Sequence, residues 1–167
     1  MELIVLYGLP RSGKSTLARG LSKKLKNSRW IEVDDFKLEA FGLGMDRYKG
    51  REFAYEKSLG LLEEYGKQDA DYIILSEVFS DKKFRRDVLS YVDDNGINVW
   101  YFKIDRPMSE LLKIEKESSR RVRNSPEDFL EFERLLGEFN PEGKVCFKNG
   151  DGVDVGGLVD KMVGVVV

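Results

Sequence analysis

The run Gly8-Leu-Pro-Arg-Ser-Gly13-Lys14-Ser15 follows the pattern G-x-x-x-x-G-K-[S/T] and separates two segments of different period. Before it, Leu3-Ile-Val-Leu-Tyr7 is continuously apolar, as expected of a strand buried on both faces. After it, Leu17, Leu21 and Leu25 recur at a helical spacing. Strand, glycine-bounded loop and helix in that order is the setting in which this pattern has a mechanism. Gly8 and Gly13 allow the main chain to wrap, so that successive N–H groups converge on an anion. The helix starting near Lys14 adds the positive end of its dipole. Such a cradle suits the β-phosphate of a nucleoside triphosphate, ATP or GTP, with Lys14 on the β/γ oxygens and the Ser15 hydroxyl on Mg²⁺. The expected nucleotide-binding residues are therefore Gly8, Ser12, Gly13, Lys14, Ser15 and Thr16, joined by Arg11 unless it reaches an acceptor phosphate or faces solvent.

Beyond the loop, strand-like and helix-like segments alternate. Strands are expected at Trp30–Val33, Tyr72–Leu75, Val99–Ile104 and Val145–Phe147. Helices are expected through Phe41, from about Gly50 to Tyr65 with Gly66 as its stop, and around Phe84, Val88 and Val92 after a Ser80 or Asp81 cap. A charged helix runs from Pro107 or Ser109 to the Arg120 cluster, and another begins at Ser125-Pro126-Glu127-Asp128, with a hydroxyl cap, proline at the first position and acids facing the dipole. Val155 to Val163 is the last helix. The alternation predicts an α/β fold, a parallel sheet wrapped by helices on both faces as a three-layer sandwich. No repeat or linker interrupts it, so residues 1–167 read as one domain.

The chain contains no histidine and one cysteine, Cys146. Ser-His-Asp and Cys-His catalysis, histidine-held metals and disulfides are excluded, and proton transfer falls to Asp, Glu, Lys, Tyr or solvent. With 28 basic and 30 acidic residues the net charge of −2 supplies no global field for nucleic acid. The apolar runs are far shorter than the ~20 residues of a membrane span. Acidic Glu2 stands where a basic leader would be, so cytoplasmic residence is the expectation.

Phosphotransfer needs an acceptor-activating base and positive charge around the moving group. In a parallel sheet the carboxyl ends of the strands face the ligand crevice. Asp34-Asp35 after the second strand and Glu77 after the third should share that rim. Asp34 is the general-base candidate and Asp35 its competitor, one of the two being expected to cap the following helix. Glu77 would reach Mg²⁺ through water or hydrogen-bond the acceptor, and Lys37, one turn beyond Asp34, would hold the acceptor or pair with an acid. Arg120, Arg121 and Arg123 lie between two helices, where a lid of about residues 116–128 would carry them to the phosphates. The competing reading is a solvated charge run paired with Glu110, Glu115 and Glu117. Topology alone would have Asn149-Gly150-Asp151 line the pocket of the nucleotide's base.

The phosphate loop, Asp34-Asp35, the segment from Tyr72 to Ile104 and the Arg120 cluster together resemble the P-loop small-kinase superfamily. More narrowly, they resemble the branch holding the 5′-hydroxyl polynucleotide kinase domain, the zeta-toxin kinases and the chloramphenicol phosphotransferases. That resemblance implies a five-stranded parallel sheet of order 2-3-1-4-5, an arginine-bearing lid, and ATP and Mg²⁺ as cofactors. It places the base on Asp34, an acceptor-contacting lysine on Lys37, an acid on Glu77 and lid residues on Arg120 and Lys116. The branch has arginine at the Lys37 and Lys116 positions and aspartate at Glu77, so the departures gather at the acceptor side. The expected activity is transfer of the γ-phosphate to a hydroxyl of a small-molecule or nucleoside-type acceptor. A polynucleotide 5′-hydroxyl kinase is the alternative, and a nucleotide-dependent switch without transfer the second. The Val163–Val167 tail would dock on the body or make a dimer contact, leaving monomer and homodimer both open.

Overall fold

The structure is a computed structural model that describes residues 1–119 and 123–167. Its elements are β1 (Glu2–Tyr7), α1 (Lys14–Lys24), β2 (Ser28–Glu32), α2 (Val33–Gly42), α3 (Arg47–Lys67), β3 (Tyr72–Ser76), α4 (Lys82–Asp94), β4 (Asn98–Asp105), α5 (Met108–Glu117), α6 (Pro126–Gly137), β5 (Val145–Lys148) and α7 (Val155–Val166). The strands pair in parallel in the order β2-β3-β1-β4-β5. This is the α/β sandwich and strand order that the sequence resemblance implies.

The central strand explains the continuous apolar run. Successive side chains of β1 point to opposite faces, and both faces are covered. Leu3, Val5 and Tyr7 enter one layer with Ile73, Leu75, Phe84, Val88 and Leu136. Ile4 and Leu6 enter the other with Leu17, Leu21, Phe102, Leu158 and Met162. Leu3 to Tyr7 are each at most 1% exposed, so β1 is fixed from both sides and its carboxyl end becomes a rigid mount for the loop that follows. Helices α1 and α7 pack together, and Gly20 permits the approach, since a Cβ there would meet the Val159 side chain.

The element boundaries differ from expectation in instructive places. β2 ends at Glu32, and Val33, a β-branched residue that reads as strand, instead buries itself in the first turn of α2. Neither Asp34 nor Asp35 caps α2: the cap position is Glu32, and both aspartates occupy the first turn. α3 starts at Arg47, because Asp46 accepts hydrogen bonds from the Tyr48 and Lys49 N–H groups, each at 2.9 Å. Gly66 does not stop it. The α4 cap is Asp81 rather than Ser80. α5 ends at Glu117, short of the arginine cluster. The valine tail docks on the body, with Val163, Val165 and Val166 packed against the second core layer.

Candidate active site

The loop after β1 is held by contacts that leave no room for larger residues. Gly8 has φ 147° and a Cβ there would strike the Ile104 carbonyl oxygen; Gly13 has φ 96° and a Cβ would strike the Asn149 amide. Asn149 is buried at the exit of β5 and donates from Nδ2 to the Ser12 carbonyl at 2.8 Å. It therefore supports the phosphate loop itself. Lys14 is 9% exposed and its Nζ donates to the carbonyls of Gly8 at 3.0 Å and Leu9 at 2.9 Å. Burial lowers its pKa, against the pull of Asp34, Glu77 and Glu32. The ammonium thus sits inside the turn, in the field of three carboxylates. Ser12 is buried, Ser15 half-buried and Thr16 exposed. A crevice of about 640 Å³ opens beside the loop, lined by Gly8, Leu9, Asp105, Arg106, Leu136 and Gly150 among others.

Across the rim, Lys37 gathers the expected acids. Its Nζ donates to Asp34 Oδ1 at 3.0 Å and to Glu77 Oε1 and Oε2 at 2.9 and 2.8 Å. The i,i+3 spacing on α2 brings Asp34 and Lys37 to one face. The end of β3 delivers Glu77, whose N–H donates to the Leu6 carbonyl of β1. The Glu77 side chain is 3% exposed and that of Asp34 is 44% exposed. Burial alone would lower the Lys37 pKa, but Glu77 and Asp34 outweigh it and raise it, so this lysine is held cationic. Lys37 also lies over the Tyr55 ring, 5.8 Å from its centroid. Asp35 is exposed in the same turn, and among the described residues the Lys37 hydrogen bonds go to Asp34 and Glu77.

The arginines fall differently. Arg120 and Arg121 lie outside the described residues. Arg123 is exposed and donates to the carbonyl of Ser118 at 2.6 Å, at the end of α5. Arg11, at φ 66°, pairs through Nε with Glu115 Oε2 and donates from Nη2 to Ser118 Oγ at 2.6 Å. Glu115 is buried, and its Oε1 accepts the Asn124 N–H at 2.7 Å. One carboxylate therefore ties the phosphate loop to the entry of α6. Nothing in the local sequence around Arg11 announces this partner, 104 positions away.

One carboxylate went unnoticed in the sequence. Glu32 closes β2 beside Ser15. Desolvation pushes its pKa up to about 7, the neighbouring Ser15 hydroxyl opposing the shift. The signal was available: an acid ending a strand at the ligand edge, two residues before Asp34, follows the same logic that singled out Glu77.

The strand order, the glycine-bounded loop at the end of the central strand and the acids on the same rim define a P-loop kinase fold. Within that class the chain belongs to the family described as Chromatin associated protein KTI12, which it matches over residues 1–134. The narrower sequence resemblance had not singled out that family. Among solved structures, the chain is similar to the Deinococcus radiodurans tunicamycin resistance protein, at 19% identity and TM-score 0.68, covering 99% of this chain and 95% of that one. It is also similar to the Mycobacterium tuberculosis APS kinase CysC in complex with AMPPNP and APS, at 13% identity and TM-score 0.64, covering 99% and 96%. A chain of the Pnkp1/Rnl/Hen1 RNA repair complex matches at 22% identity and TM-score 0.64, covering 83% of this chain and 46% of its own. No curated protein sequence matches. Among the described residues no helix is long and apolar enough to cross a membrane.

Proposed function

We propose that the chain is an ATP- and Mg²⁺-dependent phosphotransferase acting on a hydroxyl of a small-molecule or nucleoside-type acceptor. The observation that carries this reading is the meeting of two half-sites. The Lys14 ammonium of the phosphate loop lies in the field of Asp34 and Glu77, which Lys37 binds together on the neighbouring strand ends. The amides of the Gly8–Ser15 loop and Lys14 would hold the triphosphate, and Ser15 would be the protein's ligand to the metal. Bound Mg²⁺ would neutralise charge on the β- and γ-oxygens. Asp34, the more exposed acid, would take the proton of the acceptor hydroxyl. The new O–P bond forms as the bridging bond between the β- and γ-phosphates breaks, and ADP leaves. Lys37 orients Asp34, with Glu77 as its buried counter-charge.

The test is acceptor-stimulated ADP release across a metabolite and oligonucleotide panel, repeated with Asp34→Asn. The variant is expected to bind ATP within about threefold of wild type and to lose transfer by 100-fold or more, the scale of general-base catalysis. Undiminished transfer would remove Asp34 from the mechanism. A polynucleotide acceptor is the second reading, favoured by the likeness to a component of an RNA repair complex. Exposed Arg47, Tyr48, Lys49 and Arg51 at the start of α3 add to it. Phosphate appearing on an oligonucleotide 5′ end, with transfer falling steeply as salt rises, would select it.

A further inference from the structure

Two carboxylates compete for the metal side of the phosphate loop, and they differ in what occupies them. Glu77 gives both oxygens to Lys37. Glu32 lies instead beside Ser15, and its Oε2 is buried with no hydrogen-bond partner among the described residues. A carboxylate oxygen left so is costly and is rarely kept for scaffold reasons alone. In its ionised form it can only accept hydrogen bonds. Mg²⁺ suits such a neighbour, because it takes few protein ligands and keeps waters whose protons need acceptors. The residues present therefore fit the metal that a P-loop kinase fold implies: a serine hydroxyl to ligate it and a hard, unsatisfied oxygen beside that hydroxyl.

We propose that Glu32, rather than Glu77, is the metal-side carboxylate of this site, orienting Ser15 and accepting from the metal's water. The proposal rests on the nucleotide-binding reading above. It divides the rim into two functions: Glu32 and Ser15 serve the metal, while Asp34, Lys37 and Glu77 serve the acceptor. Glu32 is a positioning residue in this scheme, since it acts through Ser15 and water.

The experiment is calorimetric titration of ATP with Mg²⁺ and with chelator, reading the metal-dependent gain in affinity rather than turnover. Glu32→Gln is expected to keep metal-free ATP affinity within about threefold of wild type and to lose about tenfold or more of the metal-dependent gain, as removal of an outer-shell partner does. Glu32→Asp, which keeps the charge on a shorter stem, should fall between the two and serves if the amide does not fold. Combining Glu32→Gln with Ser15→Ala should lose little more than the worse single change, because the two act as one unit. Manganese resonance spectra of the ATP complex should weaken in the same order. A metal-dependent gain in Glu32→Gln within twofold of wild type overturns the assignment, and its loss in Glu77→Gln instead moves the role to that residue. Failure of the wild-type protein to bind ATP under either condition is a different result, and it overturns the nucleotide reading itself.

Discussion

Lys37 and Gly13 show how much a single position governs on each side of the crevice. Lys37 neutralises a nearly fully buried Glu77. Lys37→Ala leaves that charge without its cation, and breaking a buried pair this way costs about 3–5 kcal/mol. Because Lys37 is 30% exposed, water would compensate in part and the low end is expected in urea unfolding. Glu77→Gln, which removes the buried charge and leaves the lysine partly solvated, should cost less; equal losses would mean that the pair is not coupled as described. Gly13 constrains the other side twice, through its left-handed backbone and through the Asn149 amide packed against it. Gly13→Ala is expected to destabilise the fold by about 1–3 kcal/mol. Adding Asn149→Ala removes the clash together with the Nδ2 donor to the Ser12 carbonyl, so the double variant should lose less than the two single changes summed, and strict additivity would show that the clash plays no role.

At the scale of the element, legibility follows how local the cause is. The start of α6 could be read outright, because its cap chemistry lies within four residues. Ser125 Oγ accepts the Asp128 N–H at 3.1 Å, and Asp128 Oδ2 accepts the Ser125 N–H at 2.8 Å. Val33 and Gly66 misled for the opposite reason. Their propensities favour strand or break, and burial against neighbouring elements overrides them. The cap also makes a pH prediction. The Ser125 N–H, and then Arg47, hold the Asp128 carboxyl below its ordinary 3.8. A carboxyl depressed by folding stabilises above its unfolded value, and that stability is lost as pH falls through the folded one. Asp128→Ala should therefore lower stability at pH 7 by about 0.3–1 kcal/mol. The gap to wild type should close as acid takes the pH below 3.8. Melting curves at both pH values check this, and a gap independent of pH would deny the charge any part.

Across the whole molecule, the alternation of elements around one apolar strand made the parallel sheet and its ligand edge visible, while the strand order came only with the resemblance to the P-loop small kinases. The pairings that assemble the rim were not visible. Arg11 with Glu115, Asn149 with Ser12 and Glu32 with Ser15 join residues that only the finished fold brings together. They also make the phosphate loop a junction, braced by β4 at Ile104, by the exit of β5 and by α5. A ligand held there should raise the stability of the whole domain rather than order one loop. ATP at 100 times its dissociation constant adds about 2.7 kcal/mol to the folded state. For a chain of this length that is a rise in Tm of about 5–10 °C. Lys14→Ala should abolish the rise at the same ATP concentration while leaving the ligand-free Tm unchanged or higher, since burial already disfavours that ammonium. Scanning fluorimetry with and without ATP separates the outcomes. A fall in the ligand-free Tm would mean that Lys14 holds the loop together through the Gly8 and Leu9 carbonyls, and an undiminished ATP shift would mean that the nucleotide does not use this lysine.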